Sequence, residues 1–325
     1  MSLAQTLSLV ADVGGTNTRV ALARNGTVDR ASIRRFANAG NPGLDAILRD
    51  YLSDRGSPDV AGACVAVAGP VDGEQARLTN LDWTIARDGL AAAPGARRIA
   101  VINDLQAQGH ALGHIAADCL RPVIVPAAAP RAATPQLVIG VGTGFNAAVV
   151  HDGPAGRLVT ASECGHATLP VRSEAELSLM RFVETAHGFA GVEDVLSGRG
   201  LERLHAWVAR GAARGAGRDE SRDASAIMAA IGQGGDAVAE ATGAAFVRLL
   251  GTVAGDLALI HLPLGGIYLI GGVARAFTLH LERFGFAGAF RDKGRFSPLM
   301  AEFPVSIIED DFAALTGCAR RLAGA

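Results

Sequence analysis

An acidic residue and a glycine-rich turn stand together near the start of the chain. Asp12 lies at the end of an apolar run, and Gly14, Gly15, Thr16 and Asn17 follow it. Because glycine has no side chain, backbone N–H groups in such a turn can approach phosphate oxygens closely, and Asp12 could hold Mg²⁺ through water. The five residues indicate a site for phosphate and magnesium, although an ordinary β-hairpin with an aspartate at a strand end gives the same pattern.

Two further glycine turns follow apolar runs in the second half of the chain. Gly142, Thr143 and Gly144 come after one run, and Gly271 and Gly272 come after another. The first repeats the pattern of a glycine turn after a strand, and the second could admit the adenine ring of a nucleotide. Close packing of neighbouring strands is the alternative explanation for the Gly271 turn.

Residues 142–147 also fit the Gly-x-Gly-x-x-Ala fingerprint of dinucleotide-binding enzymes, with Glu163 standing 21 residues after Gly142. That fingerprint has to open a helix. Asp152-Gly153-Pro154 ends the segment after about two turns, which is too short for a crossover helix. A β-hairpin over residues 145–150 fits better, and an NAD-dependent dehydrogenase is the weaker alternative.

Asn103 and Asp104 stand where another apolar run ends and a helix begins. Helix capping alone would explain such a pair, because Asn and Asp side chains accept hydrogen bonds from the first turn of a helix. A carboxylate at the carboxyl end of a strand could also accept the proton of a hydroxyl group during phosphoryl transfer. The two roles are compatible, so Asp104 is a candidate general base.

Glu163 and His166 lie three residues apart after a predicted strand over residues 157–161. A zinc site would need a third and a fourth ligand nearby, so hydrogen bonding to the hydroxyls of a polyol is the favoured interpretation. Glu193 has the local pattern of an ordinary acid in the first turn of a helix. Nothing in its immediate sequence marks it as functional.

Alternating strands and helices position these residues. Apolar periodicity predicts a hairpin, a helix capped by Asn41, two buried strands, a second hairpin, three long helices, a strand and a last helix that returns to the N-terminal part. In this order the predicted ranges are 7–13 with 19–23, 44–52, 60–68 and 99–102, 137–141 with 145–150, 174–187, 201–210 and 237–261, 266–270, and 312–322. The alternation predicts an α/β fold, and residues 210–223 predict a solvated connection.

The two hairpins are related by a weak internal repeat. At an offset of 128 residues, Val13-Gly14-Gly15-Thr16 matches Val141-Gly142-Thr143-Gly144. The length of 325 residues also exceeds that of a usual single domain. We therefore expect a small α/β lobe formed by residues 1–110 plus 312–325, a large α/β lobe formed by residues 111–311, and a cleft between the lobes.

The composition limits the classes of protein. The 30 basic and 32 acidic residues leave a formal charge of -2, so no nucleic-acid partner is indicated. No uninterrupted apolar run approaches the ~18 residues of a membrane span, and the N-terminus lacks a signal pattern. We expect a cytoplasmic protein with no membrane partner.

The spacing of the four cysteines does not match that of a zinc site. They are Cys64, Cys119, Cys164 and Cys318, and we expect them to be unpaired thiols.

Taken in order, these segments resemble the bacterial glucokinases of the sugar kinase, Hsp70 and actin superfamily across nearly the whole chain. The segments that carry the resemblance are 11–17, 69–73 with 79–83, 102–107, 140–144, 162–166 and 268–272. The resemblance implies a two-lobed actin-like (ribonuclease H-like) α/β fold with a duplicated mixed β-sheet. The cysteine cluster of the zinc-bearing repressor-type sugar kinases is missing, which leaves the non-zinc branch.

The same resemblance implies an ATP-dependent glucokinase that forms glucose 6-phosphate and ADP. It assigns sugar binding to Asn103, Asp104, Glu163, His166 and Glu193, with Asp104 as the base for the 6-hydroxyl. It assigns ATP and Mg²⁺ to Asp12 and to the three glycine turns at 14–17, 142–144 and 271–272. It also implies a homodimer without zinc.

Two departures from the family pattern affect the prediction of the acceptor. Cys164 stands where the family commonly has glycine, and Phe145-Asn146 replaces a more usual Leu-Gly. Cys164 either packs beside the site as a small apolar residue or makes it sensitive to oxidation. A kinase of another hexose or of an amino sugar is therefore an alternative, and a non-catalytic sugar sensor is a further one. We expect no DNA-binding head, because the first phosphate strand begins near Leu7.

Overall fold

The computed structural model describes residues 6–69, 71–72, 75–78, 83–91, 96–127, 134–212 and 222–324. The predicted sugar-side segment 69–73 with 79–83 lies largely outside this part of the chain. The chain forms two units, of which the first comprises Met1–Ala116, Asp152–Ala161 and Asp310–Ala325 and the second Ala117–His151 and Ser162–Glu309. Residues 111–116, 152–161 and 310–311, which we predicted in the large lobe, belong to the first unit. The functional division into two lobes stays a prediction.

Strands and helices alternate along the described residues. The strands are β1 (Leu7–Val13), β2 (Asn17–Arg24), β3 (Thr27–Val28), β4 (Arg34–Ala37), β5 (Gly62–Val67), β6 (Val71–Asp72), β7 (Gln75–Arg77), β8 (Thr84–Ala86), β9 (Arg98–Asn103), β10 (Leu120–Ile124), β11 (Gln136–Val141), β12 (Phe145–Gly153), β13 (Gly156–Ala161), β14 (Ile267–Ile270) and β15 (Val305–Ile308). The helices are α1 (Leu44–Ser53), α2 (Arg87–Ala91), α3 (Asp104–Ala111), α4 (Glu174–His187), α5 (Gly198–Ala212), α6 (Ala224–Gln233), α7 (Ala237–His261), α8 (Gly272–Ala276), α9 (Phe286–Arg291), α10 (Ser297–Met300) and α11 (Ala313–Ala323).

The first unit is built on a mixed sheet with the strand order β3-β2-β1-β5-β9, in which β4 also pairs with β2. Strand β1 is antiparallel to β2 and parallel to β5, and β5 is parallel to β9. Every residue of β5 is buried, as expected of a central parallel strand covered on both faces. The predicted first hairpin and both predicted strands are confirmed, but only β5 is buried throughout: β9 lies at the edge of the sheet and is buried only at Ile102 and Asn103.

The last helix, α11, packs on one face of this sheet together with α3. Leu315, Cys318 and Leu322 of α11 share an apolar cluster with Val10 of β1 and Cys64 of β5. The two helices approach closely, because a Cβ at Gly317 would lie only 1.6 Å from the backbone oxygen of Ala107. The predicted return of the last helix to the N-terminal part of the chain is confirmed.

The second unit has its own mixed sheet, in which the strands follow the order β10-β15-β14-β11-β12. Strand β11 is antiparallel to β12 and parallel to β14, which repeats the arrangement of β1 with β2 and β5. The predicted second hairpin and the α/β fold class with two mixed sheets are confirmed. Residues 145–153 form a strand, so the dinucleotide fingerprint of residues 142–147 does not open a helix.

Helix α7 is long and apolar enough to cross a membrane by length and composition alone. Of its most apolar window, 67% is buried within the protein, and Phe246, Leu250 and Ala254 belong to the core cluster of the second unit. The apolar character of α7 therefore reflects its position inside the core, because a helix that is apolar on most sides has to be covered.

Three local predictions were wrong. Helix α1 is preceded by Gly43 at its N-cap, where no side chain caps the helix, and the Nδ2 of Asn41 instead donates to the backbone oxygen of Ala37. Glu193 does not lie in the first turn of a helix, because α5 begins only at Gly198. The predicted connection over residues 210–223 is shorter, since α5 continues to residue 212 and Asp223 caps α6; residues 213–221 lie outside the described part.

Candidate active site

The first glycine turn joins β1 to β2 and is closed by a hydrogen bond from Gly14 N to Asn17 O at 3.0 Å. Asn38, which is 2% exposed, fixes the turn from the side. Its Nδ2 donates to Gly14 O at 2.7 Å, its backbone N–H donates to Thr16 O at 2.9 Å, and its Oδ1 accepts from Thr18 Oγ1 at 2.8 Å. Sequence reasoning missed Asn38, because it lies 20 or more residues from the turn that it supports.

Asp12 lies opposite Arg19 in the β1–β2 register. The Arg19 Nη1 donates to Asp12 Oδ2 at 3.2 Å, and the side chain of Asp12 is 16% exposed. Burial raises the pKa of Asp12 above its ordinary value, and the positive charge of Arg19 opposes this shift. One carboxylate beside a glycine turn suits magnesium, which usually binds through one or two carboxylates, water and the substrate phosphates.

Asn103 and Asp104 lie at the junction of β9 and α3, and the predicted helix cap is confirmed for Asn103. Its Oδ1 accepts from Gln106 N at 2.6 Å, and Gln106 Oε1 accepts from Asn103 N at 3.1 Å, which is a complete capping box. Asp104 is the first residue of the helix, and its Oδ1 accepts from Leu105 N at 2.9 Å. The positive end of the helix favours the ionised carboxylate.

The register of the first sheet brings these two motifs to one edge. Val13 of β1 pairs with Val67 of β5, and Val67 pairs with Asn103 of β9. The three parallel strands therefore end at the same level, so Asp12 and Asp104 lie at the same edge of one sheet. The sequence predicted each motif, and the strand pairing brings them together.

The second and third glycine turns meet in the second unit. Gly271 has a φ of 99°, and a Cβ there would lie 2.4 Å from the backbone oxygen of Val141, so only glycine fits. Gly142 N donates to Gly144 O at 2.9 Å, and Gly142 O accepts from Gly198 N, at the start of α5, at 2.8 Å. The turns at 142–144 and 271–272 thus form one backbone-lined region.

Glu193 connects the second glycine turn to the loop that contains Glu163 and His166. Its Oε2 accepts from Phe145 N at 2.8 Å, and its backbone N–H donates to Gly165 O at 2.8 Å. A Cβ at Gly144 would lie 2.5 Å from this Oε2, so the contact requires glycine at that position. The structure therefore groups Glu193 with the other predicted residues of the second unit.

Glu163 precedes a single 3-10 turn, Cys164–His166, and His166 is the last residue of this turn. Both side chains are exposed, and the backbone N–H of His166 donates to Glu163 O at 3.1 Å. The Glu163 Oε2 accepts from Asn146 Nδ2 at 3.1 Å. A carboxylate and an imidazole held on one short turn can bind the hydroxyls of a polar ligand.

Both the nitrogen and the oxygen of the Asn146 side-chain amide form hydrogen bonds with this loop. While Nδ2 donates to Glu163, Oδ1 accepts from Ser162 Oγ at 3.0 Å and from Cys164 N at 3.2 Å. In the sequence, Asn146 is only a departure from the family pattern. In the structure, its side chain holds the loop that contains Glu163 and Cys164.

Cys164 is half-buried beside Asn146, and burial raises the pKa of its thiol above the ordinary value. A thiol with a raised pKa carries little thiolate at neutral pH and is a weak nucleophile. This environment favours packing over redox chemistry for Cys164. All four cysteines are free thiols, as predicted. The described residues contain no cluster of three or more His, Cys, Asp or Glu side chains arranged to hold a metal ion.

Comparison with known proteins gives consistent matches. The family model described as Glucokinase matches residues 9–325. A glucokinase from Chromobacterium violaceum is 34% identical over 317 residues, which is 97% of this chain and 89% of that protein. The crystal structure of a glucokinase from an Antarctic psychrotroph is similar with a TM-score of 0.86 at 30% identity, covering 98% of this chain and 99% of that one. A glucokinase from Balamuthia mandrillaris, in complex with glucose, has a TM-score of 0.80 at 22% identity and covers 98% and 94% of the two chains.

Proposed function

The chain belongs to the glucokinase family, and from this premise we propose that it transfers the γ-phosphoryl group of ATP directly to the 6-hydroxyl of D-glucose, with Asp104 as general base. The resemblance read from the sequence is thereby confirmed at the level of the family. The roles of individual residues, the attacking hydroxyl and the route of transfer belong to the proposal.

The observation that carries the proposal is that the parallel strands β1, β5 and β9 end side by side at one edge of the sheet. This register puts the carboxylate of Asp104 on the same edge of the sheet as Asp12 and the turn at 14–17. Phosphoryl transfer needs a group that accepts the hydroxyl proton and donors that neutralise phosphate charge. Both kinds of group occur on this edge.

In the proposed step, Asp104 accepts the proton of the 6-hydroxyl while the hydroxyl oxygen attacks the γ-phosphorus. The bond from the γ-phosphorus to the bridging oxygen breaks, and ADP leaves with the electron pair. The transfer is in line, so no phosphoenzyme forms. Asn103 already caps α3, so it would orient Asp104 and contact the sugar through atoms that the cap leaves open.

The remaining predicted residues have binding roles in this proposal. Glu163, His166 and Glu193 would bind sugar hydroxyls, and the backbone amides of the turns at 142–144 and 271–272 would bind ATP. Asp12 would hold Mg²⁺ through water, and the ion would neutralise phosphate charge when bound. The glucose complex of the Balamuthia mandrillaris relative supports glucose as the acceptor.

The test of the base is the variant Asp104→Asn, which keeps the shape of the side chain and removes its basicity. We expect kcat to fall by roughly 10²-fold to 10⁴-fold, while calorimetry shows that glucose still binds. Asp45→Asn is the matched control, because Asp45 is also an acid in the first turn of a helix of the first unit. Near wild-type turnover of Asp104→Asn with glucose bound would remove the base assignment.

The identity of the acceptor has its own test, because Cys164 and Asn146 depart from the family pattern. A coupled assay of ADP release with glucose, mannose, fructose and amino sugars, with ATP and Mg²⁺ in every reaction, ranks the substrates. We expect the highest kcat/KM with glucose. A higher value with another sugar would reassign the acceptor while leaving phosphoryl transfer intact.

A homodimer, which follows only from the resemblance, is also part of the proposal, together with the cytoplasmic location and the absence of zinc expected from the sequence. Light scattering at several protein concentrations measures the mass of the assembly. A monomer at all concentrations would contradict the dimer.

A further inference from the structure

A cavity of about 340 Å³ lies in the first unit, away from the sheet edge that carries Asp12 and Asp104. It is lined by residues at and just after the C-terminal end of α3, at the end of β12, at the start of β13 and at the C-terminal end of α11. The charged and titratable side chains that face it are His110, His114, Asp152, Arg157, Arg320 and Arg321. Three arginines and one carboxylate therefore line the same cavity.

All three side-chain nitrogens of Arg157 donate hydrogen bonds within the protein. Its Nε and Nη2 donate to the two carboxylate oxygens of Asp152 at 2.7 and 2.9 Å. Its Nη1 donates to the backbone oxygens of Leu112 at 2.6 Å and Gly109 at 3.2 Å, at the C-terminal end of α3. Asp152 therefore neutralises Arg157, and the charges of the other two arginines remain.

Arg320 and Arg321 are the cationic groups that the cavity leaves uncompensated. Within the described part of the chain, neither arginine forms an ion pair, and the Nε of Arg320 is buried without a hydrogen-bond partner. A buried donor without a partner is costly. A ligand in the cavity would therefore meet two arginine charges that no carboxylate of the described residues balances.

The arginines contribute to lowered pKa values of both histidines in the cavity. Burial has the largest effect on the pKa of His110, the charges of Arg321 and Arg157 add to it, and the charge of Asp152 opposes them; together they lower the pKa to about 4. Burial also lowers the pKa of His114, with contributions from Arg320 and Arg157. Both histidines are therefore mainly neutral at pH 7, where they can donate or accept hydrogen bonds.

We propose that this cavity binds a phosphate group, carried by inorganic phosphate or by a small phosphomonoester. The planar forks of arginine match phosphate oxygens in geometry and charge. Arg320 and Arg321 supply the positive charge, and the neutral histidines supply further donors. The volume leaves room for the organic part of an ester beside the phosphate.

The cavity is connected to the proposed catalytic helix by direct contacts. Arg157 binds the C-terminal carbonyls of α3, and the same helix begins with Asp104. Helix α11, which carries Arg320 and Arg321, packs on α3 at Gly317. Phosphate binding itself does not depend on the proposed role of Asp104, so the two proposals can fail separately.

Histidine NMR tests the proposal, because His110 lines the cavity while His166 belongs to the candidate active site. The full-length protein is titrated with inorganic phosphate and, separately, with glucose 6-phosphate, at constant ionic strength set with chloride. His110→Gln and His166→Gln assign the two signals. We expect the phosphate probe to raise the pKa of His110, because a nearby anion favours the imidazolium.

The variant pair Arg320→Gln/Arg321→Gln removes the free cations. We expect the affinity measured at the His110 signal to fall by about tenfold or more, since hydrogen bonds to charged groups each contribute about 1.5 kcal/mol or more. Arg34→Gln/Arg35→Gln is the matched control, because these adjacent arginines are exposed in the same unit and the change of charge is identical. Circular dichroism checks that each variant is folded.

The two ligands separate the two sources of phosphate. A similar response of His110 to both ligands supports phosphate alone as a sufficient ligand, and a response only to glucose 6-phosphate supports a phosphomonoester site. If neither ligand shifts His110, or if the Arg320/Arg321 variant binds as tightly as the control, the proposal is overturned. A response confined to His166 would place binding in the active site and would also overturn it.

Discussion

The Nδ2 of Asn146 donates a hydrogen bond to the Oε2 of Glu163 at 3.1 Å. Asn146 is the second residue of β12, directly after the glycine turn, and Glu163 is a candidate ligand of the sugar. The same amide accepts from Cys164 N. Asn146 therefore links the strand that follows the second glycine turn to the loop proposed to bind the sugar.

Replacement of Asn146 by alanine tests this link. We expect Asn146→Ala to raise the KM for glucose by about tenfold, because Glu163 loses a hydrogen bond to a charged group, while the KM for ATP changes little. Asn146→Asp keeps the acceptor oxygen for Cys164 but places a negative charge beside Glu163, so it should also weaken glucose binding. Steady-state kinetics and calorimetry with glucose measure the two effects.

The control for Asn146 is Asn41→Ala. Asn41 is partly exposed in the first unit, and its side chain donates a hydrogen bond to Ala37 O. Its replacement should leave both KM values near those of the wild type. A glucose KM for Asn146→Ala as low as that of the control would mean that Asn146 does not position Glu163.

The close approach of α11 to α3 leads to a prediction about stability. A Cβ at position 317 would lie 1.6 Å from Ala107 O, so Gly317→Ala must push the two helices apart. Overpacking of this kind costs about 1–3 kcal/mol. We expect a lower midpoint of urea unfolding, followed by far-ultraviolet circular dichroism.

Gly232→Ala provides the comparison for Gly317. Gly232 lies in α6, and a Cβ there would meet nothing within 4 Å. Alanine has the higher helix propensity, so this variant should be as stable as the wild type or more stable, by up to about 1 kcal/mol. Equal midpoints for the two variants would show that α11 and α3 can separate without cost.

The local sequence pattern predicted most of the features that are formed by residues close together in the chain. The hairpin around Gly14 follows from an apolar run and turn residues, and the cap at Asn103 follows from its place between a strand and a helix. The missed features depend on contacts that are distant in sequence. Asn38 supports a turn more than 20 residues away, and Glu193 reaches Phe145 across 48 residues.

The same distinction explains the wrong predictions. Asn41-Pro42 has the residue types of a helix start, yet the helix begins after Gly43, and Asn41 binds Ala37 O instead. Strand β15 is only four residues long, so a short apolar run gave no periodicity from which to predict it. Its position in the sheet comes from pairing with β10 and β14, which the sequence does not encode locally.

The lowered pKa of His110 leads to a prediction about pH. In the folded protein the pKa is about 4, against an ordinary value of about 6.5 in the unfolded chain. The unfolded chain therefore binds a proton between these values and the folded protein does not. The corresponding stability is fully present above pH 6.5 and is lost as the pH falls from 6.5 toward 4, up to a total of roughly 3 kcal/mol.

His110→Gln removes this titration and keeps a polar side chain in the cavity. We expect the free energy of unfolding of the variant to change less than that of the wild type between pH 7 and pH 4.5, in buffers without phosphate. Most carboxylates titrate at lower pH in both proteins, so the difference between the two profiles isolates His110. His151→Gln is the control, because His151 is exposed and should follow the wild-type profile. Parallel profiles for His110→Gln and the wild type would show that His110 is not held neutral by its surroundings.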